Sequence, residues 1–146
     1  MLRVLTYNIW FNEFIAEDRL NSLKLIVDET QPHVICLQEV REHIHDKILD
    51  IFNEYTIKPE SLDQKYDSIT LIKNDKDIQL KSYVVVEFEH SLMMRNLHVV
   101  KLQYKNVDFI IGNSHFESIF DSDDERIKYK YHQYKQAKDI LECIFR

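Results

Sequence analysis

With 146 residues, 45% of them hydrophobic and 12% aromatic, the chain carries enough apolar material for one core and lies in the usual single-domain range. Its net charge of −6 and isoelectric point near 5.6 exclude a protein drawn to the nucleic-acid backbone by its overall field, so any such contact has to be local. No run approaches the roughly eighteen apolar residues of a membrane span, and no basic, signal-like stretch precedes the first apolar segment; the reading is a soluble intracellular protein of cytoplasm or nucleus, with no membrane partner.

The segment Leu2 to Trp10 reads as a strand, and Phe14 to Glu29 as a helix, because Leu20, Leu23, Ile26 and Val27 recur at three-to-four spacing before Pro32 stops it. An apolar strand follows, His33-Val34-Ile35-Cys36 running into Leu37-Gln38-Glu39-Val40, and then a helix over Glu42 to Phe52 with Ile44, Ile48 and Ile51 on one stripe. From Tyr55 the period shifts to two. Strands are expected at Tyr55 to Lys58, Ser68 to Lys73, Gln79 to Phe88, Leu97 to Tyr104 and Val107 to Gly112, mostly antiparallel, with Ser61 to Lys65 a loop and Lys105-Asn106 a two-residue hairpin turn lacking the customary glycine. Ser122-Asp123-Asp124-Glu125 matches a capping box ahead of a helix to about Phe145. Its carboxylates complement the helix dipole, and Tyr129, Tyr131 and Tyr134 read as partly buried helix aromatics.

Val4 next to Leu5, and Ile35 next to Cys36, make the opening strands apolar on both faces, so both sides of their sheet need cover. Cys36 and Cys143 lie far apart in sequence and without metal-ligand spacing, which favours reduced thiols. His43 and His45 are two apart in a predicted helix, where such residues do not face each other. Asp18 with Arg19, and Asp139 with Lys135, read as solvated faces.

Two strand ends carry the chemistry. Glu39 closes its strand with one carboxylate, where a divalent cation could sit, and Asn8 brings an amide to a similar place near the end of the first strand. Mg²⁺ is commonly held by one or two carboxylates together with waters and substrate phosphate oxygens, so few protein ligands are needed. The plain alternatives are a solvated Glu and a strand-end turn Asn.

Thr6-Tyr7-Asn8-Ile9-Trp10, Pro32 to Val40, Met93-Met94-Arg95-Asn96-Leu97 and Gly112-Asn113-Ser114-His115-Phe116-Glu117-Ser118 resemble, in order, successive motifs of the endonuclease/exonuclease/phosphatase superfamily. The third and fourth narrow the match to its 5′-tyrosyl-DNA phosphodiesterase branch. The resemblance implies an α+β fold, half of a four-layer αββα sandwich of the deoxyribonuclease-I kind, with a mixed, mostly antiparallel sheet and flanking helices, the second sheet coming from the other half. It implies Mg²⁺, with Mn²⁺ as a substitute, held by Glu39 and Asn8; a phosphate-stabilising His115; and a substrate-binding set of Arg95, Asn96 and Tyr66, the Arg95 guanidinium lying over the Tyr66 ring, a pair worth about 0.5 to 2 kcal/mol. The implied partner is a 5′ DNA end carrying a phosphotyrosyl adduct.

The superfamily's later Gly-Asp-x-Asn and closing Asp-His motifs are missing: the single glycine is Gly112, and Asn113 follows it. Residues 1–146 are therefore expected to form one partial domain, inactive alone, resembling the amino-terminal half of such an enzyme. Either a complementary polypeptide supplies the rest, or the chain is a non-catalytic half-domain that binds DNA ends or a protein; another superfamily phosphatase or nuclease is the remaining alternative.

Overall fold

The structure is a computed structural model that describes residues 1–10, 12, 14–62, 66–89, 91–116 and 123–144, without the side chains of 66, 67, 123–128, 143 and 144. In chain order the elements are β1 (Val4–Asn8), α1 (Ala16–Thr30), β2 (Val34–Arg41), α2 (Glu42–Ile51), β3 (Tyr55–Lys58), β4 (Tyr66–Lys73), β5 (Ile78–Glu87), β6 (Asn96–Tyr104), β7 (Val107–Ser114) and α3 (Asp123–Ile144). Each predicted strand and helix is present within a few residues of its expected bounds. Phe14 belongs to the turn before α1, where the Asn12 side chain accepts its backbone N–H at 3.0 Å, and the helix starts at Ala16. The Ser122 cap and most of the loop at 61–65 fall outside the described residues.

The strands form two sheets, ordered β1-β2-β4-β3 and β5-β6-β7. The β1–β2 pair is parallel and the other pairs are antiparallel. This corrects the expectation that the second sheet belongs to a missing half: β5 to β7 build it here, from the period-two stretch that follows the two β-α units. The Lys105-Asn106 turn closes the β6–β7 hairpin with both residues left-handed, φ 49° and 65°, the backbone of a primed two-residue turn; Asn tolerates that region, which is how the turn manages without glycine.

β2 shows why two sheets are needed. Ile35 and Leu37 point to one face and join Leu20, Leu23, Val27, Ile44 and Ile48 of α1 and α2, whereas Val34 and Cys36 point to the other and join Val100 and Leu102 of β6. Helices thus cover one side of the first sheet and the second sheet covers the other, answering the two-faced apolarity of this strand. Burial pushes the free Cys36 thiol up to about 11 and leaves it an inert part of that layer. In α2, His45 is buried while His43 faces solvent, as their spacing requires. Tyr131 and Tyr134 in α3 are 55% and 66% exposed, contrary to the partly buried reading, because they fall off the stripe of less exposed residues at 129, 132, 133, 136 and 140. Among the described residues no helix is long and apolar enough to cross a membrane.

Candidate active site

The site lies at the carboxyl ends of β1, β2 and β7. The β2–β4 register shifts between Leu37 and Val40, a bulge that re-aims side chains at a strand end, and inside it Glu39 takes φ 60°. A glutamate in the left-handed region carries roughly 1–2 kcal/mol of strain. The same backbone turn directs its carboxylate toward Asn8 at the end of β1 and His115 just past β7.

The Asn8 amide donates from Nδ2 to Glu39 Oε1 at 3.0 Å, while its Oδ1 accepts the Trp10 N–H at 2.7 Å. A backbone N–H only donates, so this contact fixes the amide's orientation. Asn8 therefore aims the Glu39 carboxylate and turns its nitrogen, not its oxygen, toward it. The end of β1 is held in turn by Arg19 of α1, which donates to the Ile9 carbonyl from Nε at 2.7 Å and to the Asn8 carbonyl from Nη2 at 2.5 Å, with its guanidinium 5.0 Å from the centre of the Tyr7 ring. Arg19 was expected on a solvated face. Its side chain instead folds back over β1, a contact between elements that helix periodicity does not contain.

His115 directly follows β7 and brings Nε2 to 3.4 Å from Glu39 Oε1. Burial first, and the Arg95 guanidinium second, push this imidazole below its usual range, against the opposing pull of Glu39. It is thus held toward its neutral form. Its Nδ1 is buried and has no hydrogen-bond partner among the described residues.

Arg95 is buried at the entrance to β6, where its backbone N–H reaches Ser91 Oγ at 2.6 Å and Nη2 lies 3.7 Å from Met93 Sδ. Asn96 lies beneath the site: its Oδ1 is 2.9 Å from Nε2 of the fully buried His98, and its carbonyl accepts Ser114 Oγ at 2.7 Å. With Oδ1 engaged by His98, a substrate contact from this side chain would come from its Nδ2 donors. Tyr66 begins β4 opposite Arg41, but its side chain, and with it the pair with Arg95, is outside the described residues.

Two further residues organise the site. Asn113 on β7 donates from Nδ2 to the carbonyls of Leu37 at 3.2 Å and Ile69 at 2.8 Å, while its Oδ1 accepts Gln38 Nε2 at 2.8 Å. Gln38 also donates to Thr6 Oγ1 at 3.1 Å. β1, β2, β4 and β7 are thereby tied together one residue before Glu39 and two before His115. The signal for Asn113 was present, since it continues the inward alternation Phe109, Ile111 with a polar residue where an apolar one belongs.

A hard divalent cation is compatible with this donor chemistry: Glu39 offers a carboxylate already oriented by an amide. Among the described residues no group of three His, Cys, Asp or Glu side chains converges, so a cation held here would need further ligands such as waters or phosphate oxygens.

No protein-family model matches the chain. Tyrosyl-DNA phosphodiesterase 2 of Xenopus tropicalis is 28% identical over 125 residues, 85% of this chain but 33% of that protein. The structure of D. rerio TDP2 complexed with single-strand DNA product superposes with a TM-score of 0.81 at 21% identity, over 99% of this chain and 55% of that one. ANGEL2, a 2′,3′-cyclic phosphatase, superposes with a TM-score of 0.64 at 19% identity over 80% of this chain and 41% of its own. The chain spans a third to about half of the tyrosyl-DNA phosphodiesterase 2 chains it matches. In fold it is an α+β chain similar to tyrosyl-DNA phosphodiesterase 2 and ANGEL2, and in sequence it is similar to part of tyrosyl-DNA phosphodiesterase 2.

Proposed function

We propose that residues 1–146 form a partial domain of a Mg²⁺-dependent phosphodiesterase, with Mn²⁺ as a substitute, directed at 5′ DNA ends that carry a phosphotyrosyl adduct. The observation that carries this reading is the convergence of Asn8, Glu39 and His115 at three strand ends of a fold shared with a DNA-bound phosphodiesterase. Glu39 would hold the metal, and Asn8 would aim its carboxylate. Bound there, the cation would polarise a phosphate oxygen and offset charge as the phosphorus is attacked.

The chain's own residues do the rest. His115, held toward its neutral form, can donate one N–H to a phosphate oxygen, and the Arg95 guanidinium adds fixed positive charge beside it. A departing tyrosine leaves as a phenolate whose conjugate acid has a pKa near 10, so it leaves more readily than a sugar alkoxide. The group that activates water would come from the complementary part that carries the Gly-Asp-x-Asn motif. Alone, the chain is therefore a half-site that holds substrate and metal without appreciable turnover.

The similarity to ANGEL2 favours one second reading, a phosphatase of the same fold. Assaying the chain on a 5′-phosphotyrosyl oligonucleotide and on a 2′,3′-cyclic nucleotide, with and without a complementary polypeptide, separates the two. The expected result is Mg²⁺-dependent release of tyrosine only when both parts are present, abolished by Glu39→Gln. Robust release by the chain alone would show that it carries its own base, and exclusive cleavage of the cyclic nucleotide would select the phosphatase.

A further inference from the structure

We infer that His98, held by Tyr83, is a positioning residue that turns the Asn96 amide so that its donors face a phosphate oxygen bound beside His115. The inference deepens the phosphodiester reading above, on which the identity of its ligand rests.

Leu102, Val100, His98 and Asn96 alternate along β6 on the face that meets the first sheet. The stripe turns polar as it nears the site, although His98 is as fully buried as Val100 and Leu102. An imidazole is tolerated there when its ring nitrogens find partners, and both do. Tyr83, in register with Val100 and therefore on the same face, brings its hydroxyl to 2.8 Å from Nδ1. On the other side, Asn96 Oδ1 lies 2.9 Å from Nε2. An amide oxygen only accepts, so Nε2 carries the proton and, in that tautomer, Nδ1 accepts the Tyr83 hydroxyl. The Tyr83 ring also packs 5.9 Å from the imidazole, centre to centre, and helps to fix its plane.

The consequence falls on Asn96. With Oδ1 drawn inward to His98, Nδ2 is the outward end of the amide; it makes no other hydrogen bond among the described residues and is not a buried atom lacking a partner, so it opens to solvent from a residue that is only 7% exposed. The backbone of Asn96 is pinned as well, because its carbonyl accepts Ser114 Oγ at 2.7 Å. Leu97 pairs with Ser114, so the next step of that ladder puts Asn96 beside His115, with Arg95 immediately before it. An unanchored amide would turn its oxygen to this place as readily as its nitrogen, and an oxygen there repels phosphate. His98 removes that choice before substrate arrives, which makes Asn96 a preorganised donor.

Nitrogen-15 NMR on residues 1–146 tests this without any activity measurement. At neutral pH the His98 ring shifts should report a proton on Nε2, and the Asn96 side-chain amide should move when a 5′-phosphorylated oligonucleotide is added. His98→Leu, which fills the space but gives up the donor, should weaken that oligonucleotide about tenfold. His98→Gln, whose amide nitrogen can reach the place of Nε2, should recover most of the loss. A His98 proton on Nδ1 alone, an Asn96 amide that ignores the oligonucleotide, or Leu and Gln variants that bind alike would each overturn the inference; if the Leu variant does not fold, the first two measurements on the unsubstituted chain still decide. The expected tautomer and binding, with no Mg²⁺-dependent cleavage once the complementary part is present, would leave the positioning role intact and refute the proposed activity.

Discussion

Asn113 reaches from β7 across the sandwich and donates to the carbonyl of Ile69 at 2.8 Å, so a side chain from one sheet satisfies the backbone of the other. The β2–β4 bulge frees carbonyls that the ladder would otherwise occupy, and Asn113 occupies them while its oxygen holds Gln38. Removing it should strand buried acceptors. Asn113→Ala is expected to cost about 1–3 kcal/mol, read as a lower urea midpoint; an unchanged midpoint would mean that water replaces these bonds at no cost.

Glu39 allows a cleaner test of backbone strain. Glu39→Ala and Glu39→Gly both lose the Asn8 hydrogen bond, but only glycine relaxes the φ of 60°. The glycine variant should be the more stable by about 1 kcal/mol, measured by chemical denaturation of the two. Equal stabilities would remove the strained bulge from this account.

His33 Nδ1 accepts the Arg3 N–H at 2.8 Å, tying the start of β1 to β2. Burial, then the Arg3 charge, hold its pKa below 6.5, so between the folded value and 6.5 the unfolded chain binds more protons than the folded one. Stability should therefore be fully present above pH 6.5 and be lost as pH falls through the lowered folded pKa. His33→Asn, which keeps an acceptor near the Nδ1 position but cannot titrate, should show a smaller loss between pH 7.5 and 5.5; parallel losses would assign the acid sensitivity elsewhere.

Arg19→Lys keeps the charge but gives up the two-pronged grip on Asn8 and Ile9. It should destabilise the chain by about 1 kcal/mol and perturb the Asn8 side-chain amide resonances in an NMR spectrum. If those resonances do not move, Arg19 does not position Asn8.

With the complementary part present, Asn8→Ala and His115→Ala should lower turnover on every phosphodiester, because both face the Glu39 carboxylate that the proposed function assigns to the metal. Arg95→Ala and Tyr66→Ala should penalise a tyrosyl oligonucleotide more than a nitrophenyl phosphodiester, compared through kcat/KM. Equal losses on the two substrates would sink the tyrosyl-specific reading and leave a general phosphodiesterase.

The elements were legible in the sequence because each rests on local periodicity: the four-residue spacing in α1 and α2, the alternation after Tyr55, and the run of β2 residues apolar on both faces, which demanded two covering layers. Glu39, Asn8 and His115 were legible through their motifs, each placed at a strand end. The sequence did not disclose which layer covers β2, since Val34 meets Val100 and Leu102 only after β5, β6 and β7 fold over it as a second sheet. Nor did it reveal the orientation of the Asn8 amide, the inward turn of Arg19, the His98 link beneath Asn96 or the Asn113 bridge. Those are hydrogen bonds between groups brought together by packing, and polar side chains choose partners by distance and geometry in three dimensions, where spacing along the chain carries no information.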